Sequence, residues 1–294
     1  MNLTGIMSAI VTPLTEAYTI DESAMKRLID FQIERGINSL LVLGGTGEYS
    51  ALTMEVREQA VLSAVKYSNG RIPVIVGVLE PGIGEATKFA LKAKAAGADA
   101  ILVVTPYYIH PDQEGMIDWY KRLDAAVNMP MLIYNIPYRT YVNIQPEAVK
   151  ALADACPNII GIKECSPNLG QAIDLIRTCG DRITVLSGEE FLCTSEILLG
   201  MKGGIMASAN LVPDVWVEIY KKASVGKNNE ATEVLMKYYP LFKLLFKEIN
   251  PGPLKYALSI IGLDCGPVAS PLHEPSDKLK KELKRELTNL GIIK

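Results

Sequence analysis

The sequence predicts an α/β fold, a (β/α)8 TIM barrel followed by a C-terminal helical extension. Short apolar runs recur at roughly 30-residue intervals up to about residue 211, a spacing typical of βαβ units. Each run is followed by loop residues rich in glycine, proline or threonine and then by a helical pattern. Eight such units favour a closed barrel over an open doubly wound sheet.

The eight apolar runs have the composition of strands that are buried on both faces of a parallel sheet. In chain order they are Ile6–Val11, Ser39–Leu43, Pro73–Val78, Ala100–Val104, Met131–Asn135, Ile159–Lys163, Ile183–Ser187 and Gly204–Ala207. An open doubly wound sheet is the alternative, but no Gly-x-Gly-x-x-Gly fingerprint follows the first run.

Helix signals separate these runs and continue alone after them. Asp21 and Thr53 stand where helices begin, and Pro146 suits a first helical position because its missing N–H costs little there. Beyond the last strand the chain reads as helices only, at Val215–Ser224, Asn229–Phe246, Leu254–Ile261 and 279–287. We therefore predict a barrel over residues 1–225 that carries the active site, and a helical domain over residues 226–294.

Composition excludes several classes of function. The chain has 294 residues and a formal net charge of −3, with no basic block suited to nucleic acid. Five scattered cysteines without a Cys-x-x-Cys pair, and only two histidines, argue against a metal site and for a reduced, cytoplasmic setting. The sequence also lacks the signal peptide and the long apolar stretch that export or membrane insertion requires. We expect no metal, no nucleic acid and no membrane partner.

Lys163 is the most informative residue because it ends an apolar run that reads as a buried strand. Burying an ammonium is costly unless the site neutralises it or uses it. A desolvated lysine can attack a carbonyl group and form a Schiff base. The alternative is a strand-end lysine that reaches solvent or pairs with Glu164.

The ends of the other strands carry residues that fit the same chemistry, since a barrel places its active site at the carboxyl ends of its strands. The second strand ends in a Gly-Gly-Thr-Gly-Glu run at residues 44–48, which is either an anion-binding loop or a tight turn. Tyr134 in the fifth strand is either a core residue or a general acid/base, and Arg139 beyond it could hold a carboxylate. Tyr108 after the fourth strand could be an interface anchor or a catalyst. Together these residues fit imine catalysis on a 2-oxo acid.

Several motifs, in order, resemble those of one family. They are Val11-Thr12-Pro13, Gly44-Gly45-Thr46-Gly47-Glu48, Thr105-Pro106-Tyr107-Tyr108, Tyr134-Asn135-Ile136-Pro137, Gly161-Ile162-Lys163-Glu164, Leu186-Ser187-Gly188 and Asn250-Pro251-x-Pro253-x-Lys255. Over essentially its whole length the chain resembles the dihydrodipicolinate synthase/N-acetylneuraminate lyase family of class I aldolases.

The resemblance implies a Schiff-base lyase acting on pyruvate or a related 2-oxo acid, with no cofactor beyond the covalent imine on Lys163. It also implies a homotetramer, a dimer of dimers, in which Tyr108 caps a neighbouring subunit's site. The remaining roles that it implies are proton transfer by Tyr134, carboxylate binding by Gly45, Thr46 and Gly47, a contact with substrate from Ile205, and binding of aspartate semialdehyde by Arg139.

Two departures from the synthase pattern keep the substrate open. Synthases carry Thr where this chain has Gly45, and that Thr links Tyr134 to Tyr108; Tyr141 stands where synthases usually have Gly. The nearest activity is that of 4-hydroxy-tetrahydrodipicolinate synthase, from pyruvate and aspartate semialdehyde. The alternative is an aldolase or dehydratase of 2-keto-3-deoxy sugar acids or a hydroxy-oxo acid. The non-enzymatic alternative is a catalytically silent barrel that only binds a small acid or regulates a partner.

The lysine-binding site of many synthases is largely missing. Of its residues only Glu85 and Tyr107 have counterparts, and different residues stand at the other positions, namely Tyr49, Met54, Arg57 and Pro81. We expect no feedback inhibition by lysine.

Overall fold

Eight parallel strands close into a barrel in the computed structural model, which describes residues 3–294. The strands follow one another around the barrel in chain order, and the eighth pairs with the first. They are β1 Gly5–Ala9, β2 Ser39–Val42, β3 Val74–Val78, β4 Ala100–Val104, β5 Met131–Asn135, β6 Ile159–Glu164, β7 Thr184–Ser187 and β8 Gly203–Met206. The predicted (β/α)8 barrel is confirmed, with strand ends within about two residues of the predicted ones.

Helices fill the connections between strands. They are α1 Glu22–Glu34, α2 Met54–Ser68, α3 Ile83–Ala95, α4 Gln113–Val127, α5 Pro137–Thr140, α6 Pro146–Ala155, α7 Leu169–Cys179 and α8 Cys193–Leu199. The side chains of Asp21 and Thr53 cap α1 and α2 by accepting the backbone N–H groups of Ala24 and Val56. The predicted helices do not include α4, although Asp112 caps it in the same way.

Four α-helices, joined by loops, follow the eighth strand. They are α9 Pro213–Ser224, α10 Asn228–Leu245, α11 Gly252–Ile260 and α12 Asp277–Asn289. The rings of Trp216 in α9 and Phe242 in α10 stack with centroids 5.0 Å apart, and the Trp216 indole N–H donates to Ser208 beside β8. These contacts pack the helical segment on the barrel, and the proposed boundary at residue 225 stays a prediction. No helix within residues 3–294 is long and apolar enough to cross a bilayer.

A shift of register between β5 and β6 decides which side chains meet at the carboxyl end of the barrel. Met131 pairs with Ile159, but the next residue, Leu132, pairs with Gly161, so Ile160 is an extra residue in β6. The pairing then continues in the new register and sets Tyr134 opposite Lys163. Extra residues of this kind are common next to active sites, where they redirect side chains.

Candidate active site

Lys163 and Tyr134 lie side by side at the carboxyl end of the barrel. They are direct partners in the β5–β6 pairing, and the Lys163 Nζ atom lies 4.7 Å from the centre of the Tyr134 ring. Both side chains are buried, with exposed fractions of 6% and 5%. Lys163 takes part in none of the ion pairs formed within residues 3–294. Its amine is therefore held at the cavity wall next to a phenol, without a carboxylate bound to it.

Glu164 does not pair with Lys163, because consecutive residues of a strand point to opposite faces. Its carboxylate is fully buried behind the sheet and accepts hydrogen bonds at 3.0 Å from Asn135 Nδ2 on each oxygen. Gln171 Nε2 donates to it at 3.0 Å and the Ser166 backbone N–H at 2.5 Å. Burial raises the pKa of Glu164, and these donors oppose that shift. The network joins β5 to β6 one residue beyond the Tyr134–Lys163 pair.

Two carboxylates that the sequence analysis did not single out, Glu189 and Glu190, follow β7. Glu190 lines the same cavity as Lys163, and its Oε1 atom accepts the backbone N–H groups of Ala207 and Ser208 at 2.6 and 3.1 Å. Burial, then the charge of Glu190, raises the pKa of Glu189 to about 7. Their position in the sequence could have indicated them, since they lie just after the carboxyl end of a barrel strand.

The Gly44–Glu48 loop forms another wall of the cavity. Gly45 and Thr46 line it, and the Thr46 hydroxyl oxygen accepts a hydrogen bond from Asn250 Nδ2 at 2.9 Å. A side chain at Gly47 would meet the backbone of Leu43 at 2.8 Å, whereas one at Gly45 would find no atom within 4 Å. Gly47 is therefore required by close packing, while Gly45 leaves open space beside Thr46.

Most of the residues predicted for the site meet at this cavity. Its predicted lining residues are Gly45, Thr46, Tyr134, Arg139, Lys163 and Ile205, and its further lining residues include Tyr138, Gly188, Glu190, Phe246 and Asn250. Gly47 holds the loop without lining the cavity. An adjoining, mostly apolar cavity shares Gly45, Tyr134, Ile136 and Arg139 with it and extends towards Leu79, Val104 and Tyr107.

Burial also determines the protonation state of the tyrosine. Desolvation raises the pKa of Tyr134 well above its ordinary value, and the charge of Arg139 opposes only part of the shift. The phenol is therefore neutral at physiological pH and presents a proton for donation. Cys165, which lies close to Gly188 and Lys163, is buried as well, and desolvation raises its thiol pKa.

Tyr108 lies apart from the other predicted residues. Its side chain is 90% exposed, and its φ of +73° is left-handed, which is uncommon for a bulky residue. Ile109 and Tyr141 are exposed beside the same mouth of the barrel. Tyr108 thus does not line the cavity of its own chain, and its predicted role across a subunit interface stays a prediction.

Tyr49 and Arg57, two of the residues at the positions expected for a lysine site, contact each other. Arg57 forms an ion pair with Glu80 at 2.6 Å, and its guanidinium lies 4.3 Å from the centre of the Tyr49 ring. The Tyr107 hydroxyl donates to the backbone oxygen of Leu79 at 3.1 Å. No group of three or more metal-binding side chains has a geometry suited to a metal ion among residues 3–294.

The fold, and the residues that converge at the carboxyl ends of the barrel strands, define a barrel lyase of the class I aldolase type. The chain belongs to the dihydrodipicolinate synthetase family, whose model matches residues 2–290. It is 37% identical over 290 residues to the 4-hydroxy-tetrahydrodipicolinate synthase of Methanococcus maripaludis and 41% identical over 290 residues to that of Thermodesulfovibrio yellowstonii, with 99% of each chain covered in both cases. The crystal structure of the chloride-inhibited dihydrodipicolinate synthase from Acinetobacter baumannii complexed with pyruvate superposes with a TM-score of 0.96 at 34% identity, covering 99% of this chain and 100% of that one.

Proposed function

We propose that the protein condenses pyruvate with aspartate semialdehyde through an imine on Lys163, the reaction of a 4-hydroxy-tetrahydrodipicolinate synthase. The observation that carries this proposal is the buried Lys163 amine beside Tyr134, in a cavity that also contains the Thr46 loop and Arg139. The names of the relatives, and the pyruvate bound to the Acinetobacter enzyme, support the choice of substrates.

The first step forms a covalent bond between the enzyme and pyruvate. The Lys163 amine attacks C2 of pyruvate, a C–N bond forms, and the carbonyl oxygen leaves as water after taking up the two protons that the nitrogen loses. The neutral Tyr134 hydroxyl would donate one proton to the carbonyl oxygen and take one back from the nitrogen. A proton then moves from C3 to the imine nitrogen, which gives an enamine. The enamine carbon attacks the aldehyde carbon of the second substrate, and the aldehyde oxygen takes the proton of the nitrogen and becomes a hydroxyl as the imine re-forms. The amino group of that substrate finally adds to the imine carbon, the bond from this carbon to Lys163 breaks, and the two protons of the amino group pass to the lysine nitrogen, which leaves as the free amine.

Two parts of the cavity would bind the carboxylates. The backbone N–H groups of the Gly45–Gly47 loop and the Thr46 hydroxyl would hold the carboxylate of pyruvate. Asn250 donates to the Thr46 oxygen, so the hydroxyl proton of Thr46 stays available for that carboxylate. Arg139, which lines the same cavity, would hold the carboxylate of aspartate semialdehyde.

A second candidate is an aldolase or dehydratase of 2-keto-3-deoxy sugar acids or a hydroxy-oxo acid. The open space at Gly45 favours it, because a hydroxyl expected of a synthase is absent there and Gly45 also lines the adjoining cavity. Turnover of pyruvate with aspartate semialdehyde, compared with turnover of 2-keto-3-deoxygluconate at equal enzyme concentration, decides between the two. Faster use of the sugar acid would overturn the first choice.

We also propose that the protein assembles as a homotetramer in which Tyr108 reaches a neighbouring site. The exposure of Tyr108, Ile109 and Tyr141 on one rim supports an apolar contact between subunits. Sedimentation velocity of the native protein tests the assembly. A monomer at the concentrations used for catalysis would contradict it, as would full activity of Tyr108→Ala.

The test of the imine is the intact mass of the protein after incubation with pyruvate and cyanoborohydride. An increase that matches one reduced pyruvate per chain, absent in Lys163→Ala, is the expected result. If the wild-type protein gains no mass, or if Lys163→Ala gains the same mass, the proposed chemistry is wrong.

A further inference from the structure

A buried ion pair joins the Gly44–Glu48 loop to the helical end of the chain. Lys255 Nζ in α11 lies 2.7 Å from Glu48 Oε1, and the two side chains are 4% and 0% exposed. The same amine donates to the backbone oxygen of Pro267 at 2.6 Å, and the other carboxylate oxygen accepts the backbone N–H of Ala269 at 2.6 Å. Both charges are therefore compensated by a set of short contacts away from solvent.

The segment that provides Lys255 touches the loop at a second point. Asn250, five residues earlier, donates to the hydroxyl oxygen of Thr46. The loop is also held from the barrel side, where the Thr12 hydroxyl donates to the backbone oxygen of Gly47 at 2.7 Å. Three successive loop residues are thus each held by a distant part of the chain.

The backbone of this loop needs such support because it is strained at both ends. Leu43 and Glu48, which flank the four residues 44–47, each have a φ of +61°. A non-glycine residue in this left-handed region costs about 1 kcal/mol or more and persists only where surrounding contacts fix it. Close packing against Gly77 of β3 fixes Leu43. At the other end, the ion pair with Lys255 fixes the side chain of Glu48.

Stability alone does not explain a buried ion pair. Desolvating two charges cancels most of their attraction, and well-packed apolar residues in their place are often equally stabilising. A pair that fixes the position of a strained loop has a different use, since the backbone N–H groups of that loop must be aimed at one point to bind a carboxylate.

We propose that Glu48 and Lys255 are positioning residues that set the Gly45–Gly47 backbone for recognition of the carboxylate of the 2-oxo acid. Neither side chain lines the cavity that contains Lys163. The pair therefore acts through the loop and not on the reacting carbonyl. This role rests on the proposed function, because it presumes that a 2-oxo acid binds next to Lys163.

The test compares two ketones that differ in the carboxylate. Pyruvate carries it, whereas methyl pyruvate presents the same carbonyl group without the negative charge. Imine formation on Lys163 is followed for each ketone by cyanoborohydride trapping and intact mass as a function of concentration. For Lys255→Met the concentration of pyruvate that gives half of the maximal adduct should rise about ten- to hundredfold. The value for methyl pyruvate should change by less than about twofold.

Two further variants keep the test decisive. The double variant Glu48→Gln/Lys255→Met leaves no uncompensated buried charge and should fold even if Lys255→Met does not. It should show the same selective loss. The matched control is Lys247→Met, which breaks a partly exposed ion pair with Glu282 in the same helical segment and should change neither value.

The outcomes separate this role from the imine chemistry. An equal loss with both ketones, or a double variant that traps pyruvate like the wild type, would overturn the positioning role alone. A wild-type protein that forms no adduct with either ketone would overturn the proposed function and, with it, the role of the pair.

Discussion

Tyr134 and Lys163 are paired residues of neighbouring strands, and the amine lies 4.7 Å from the centre of the phenol ring. Rigid strands hold both groups, so their separation depends on the sheet and not on a mobile loop. The chemistry that we propose for the protein follows from this pair, and so do the first two predictions.

Removing the amine should abolish covalent trapping while leaving the fold intact. Lys163→Ala is expected to lose the reduced pyruvate adduct and to lower turnover by at least about a thousandfold, since Lys163 is the one lysine among the described residues that line the cavity. Intact mass and turnover measure the two effects. Lys202→Ala, at an exposed lysine before β8, is the control. Equal trapping in Lys163→Ala would show that another residue reacts.

Removing the phenol should slow proton transfer without preventing imine formation. Tyr134→Phe is expected to lower kcat by about 10²- to 10⁴-fold. Burial holds the pKa of Tyr134 well above 10, so its hydroxyl stays protonated and wild-type kcat should not fall between pH 8 and pH 9.5 through its ionisation. The pH profiles of the two proteins measure this. A wild-type decline in that range that Tyr134→Phe lacks would contradict it.

Arg139 should act on the second substrate only. Arg139→Ala is expected to raise the KM for aspartate semialdehyde about ten- to hundredfold, as expected for a lost charge-assisted hydrogen bond. The pyruvate adduct should form as in the wild type. Steady-state kinetics with each substrate varied in turn measures the difference, with Arg177→Ala, on the exposed surface of α7, as the control. Unchanged kinetics in Arg139→Ala would refute the carboxylate contact.

Glu196 should make stability depend on pH. Burial raises the pKa of this carboxyl from 4.5 to about 7, the Ser187 hydroxyl opposes the shift, and the charges of Glu164 and Glu189 add to it. The folded state therefore holds its proton more tightly, so this contribution to stability is complete below about pH 4.5 and is lost as the pH rises through 7.

Glu196→Gln, which resembles the protonated form, should therefore be more stable than the wild type at pH 8, by about 1–3 kcal/mol, and similar to it at pH 4.5. Denaturant unfolding at both pH values measures this. The exposed Glu233→Gln is the control and should change stability little at either pH. A Gln variant that is less stable at pH 8 would contradict the sign.

Lysine should not regulate the protein. Tyr49 and Arg57 stand at two positions expected for the lysine site of many synthases, where Arg57 pairs with Glu80 and lies over the Tyr49 ring. We expect turnover to be unchanged in the presence of about 10 mM lysine. This concentration is well above a dissociation constant of about 1 mM, which corresponds to a binding free energy of about 4 kcal/mol. Inhibition at millimolar lysine would overturn this prediction.

The barrel could be predicted because local pattern and global fold agree. Each strand is a short apolar run followed by loop residues, and the rule that barrel sites lie at strand ends brought Lys163, Tyr134 and Thr46 together. The contacts of Lys255 with Glu48 and of Asn250 with Thr46 could not be predicted. They join residues about 200 positions apart, and no periodicity in the sequence records such distances.

Glu189 and Glu196 escaped prediction for another reason. A glutamate in a loop or at a helix start is ordinarily solvated, and only tertiary packing buries Glu196 and partly desolvates Glu189. The role of Tyr108 could not be tested for the opposite reason, namely exposure and not burial. Its side chain is exposed in the single chain, so its role depends on a surface that another subunit would have to provide.

The extra residue Ile160 determines which side chains of β6 after it point into the barrel and which point towards the helices. Side chains along a strand alternate between the two faces, so deleting one residue upstream would exchange the inward and outward sets. Lys163 would then face the helices, and the carboxylate of Glu164 would enter the cavity in place of the amine. A chain with this strand out of phase could still close a barrel, but it could not form the proposed imine. The fraction of molecules in a refolded sample that form a trapped pyruvate adduct would thus report the fraction with the correct strand register. Circular dichroism cannot distinguish these molecules from mispaired ones.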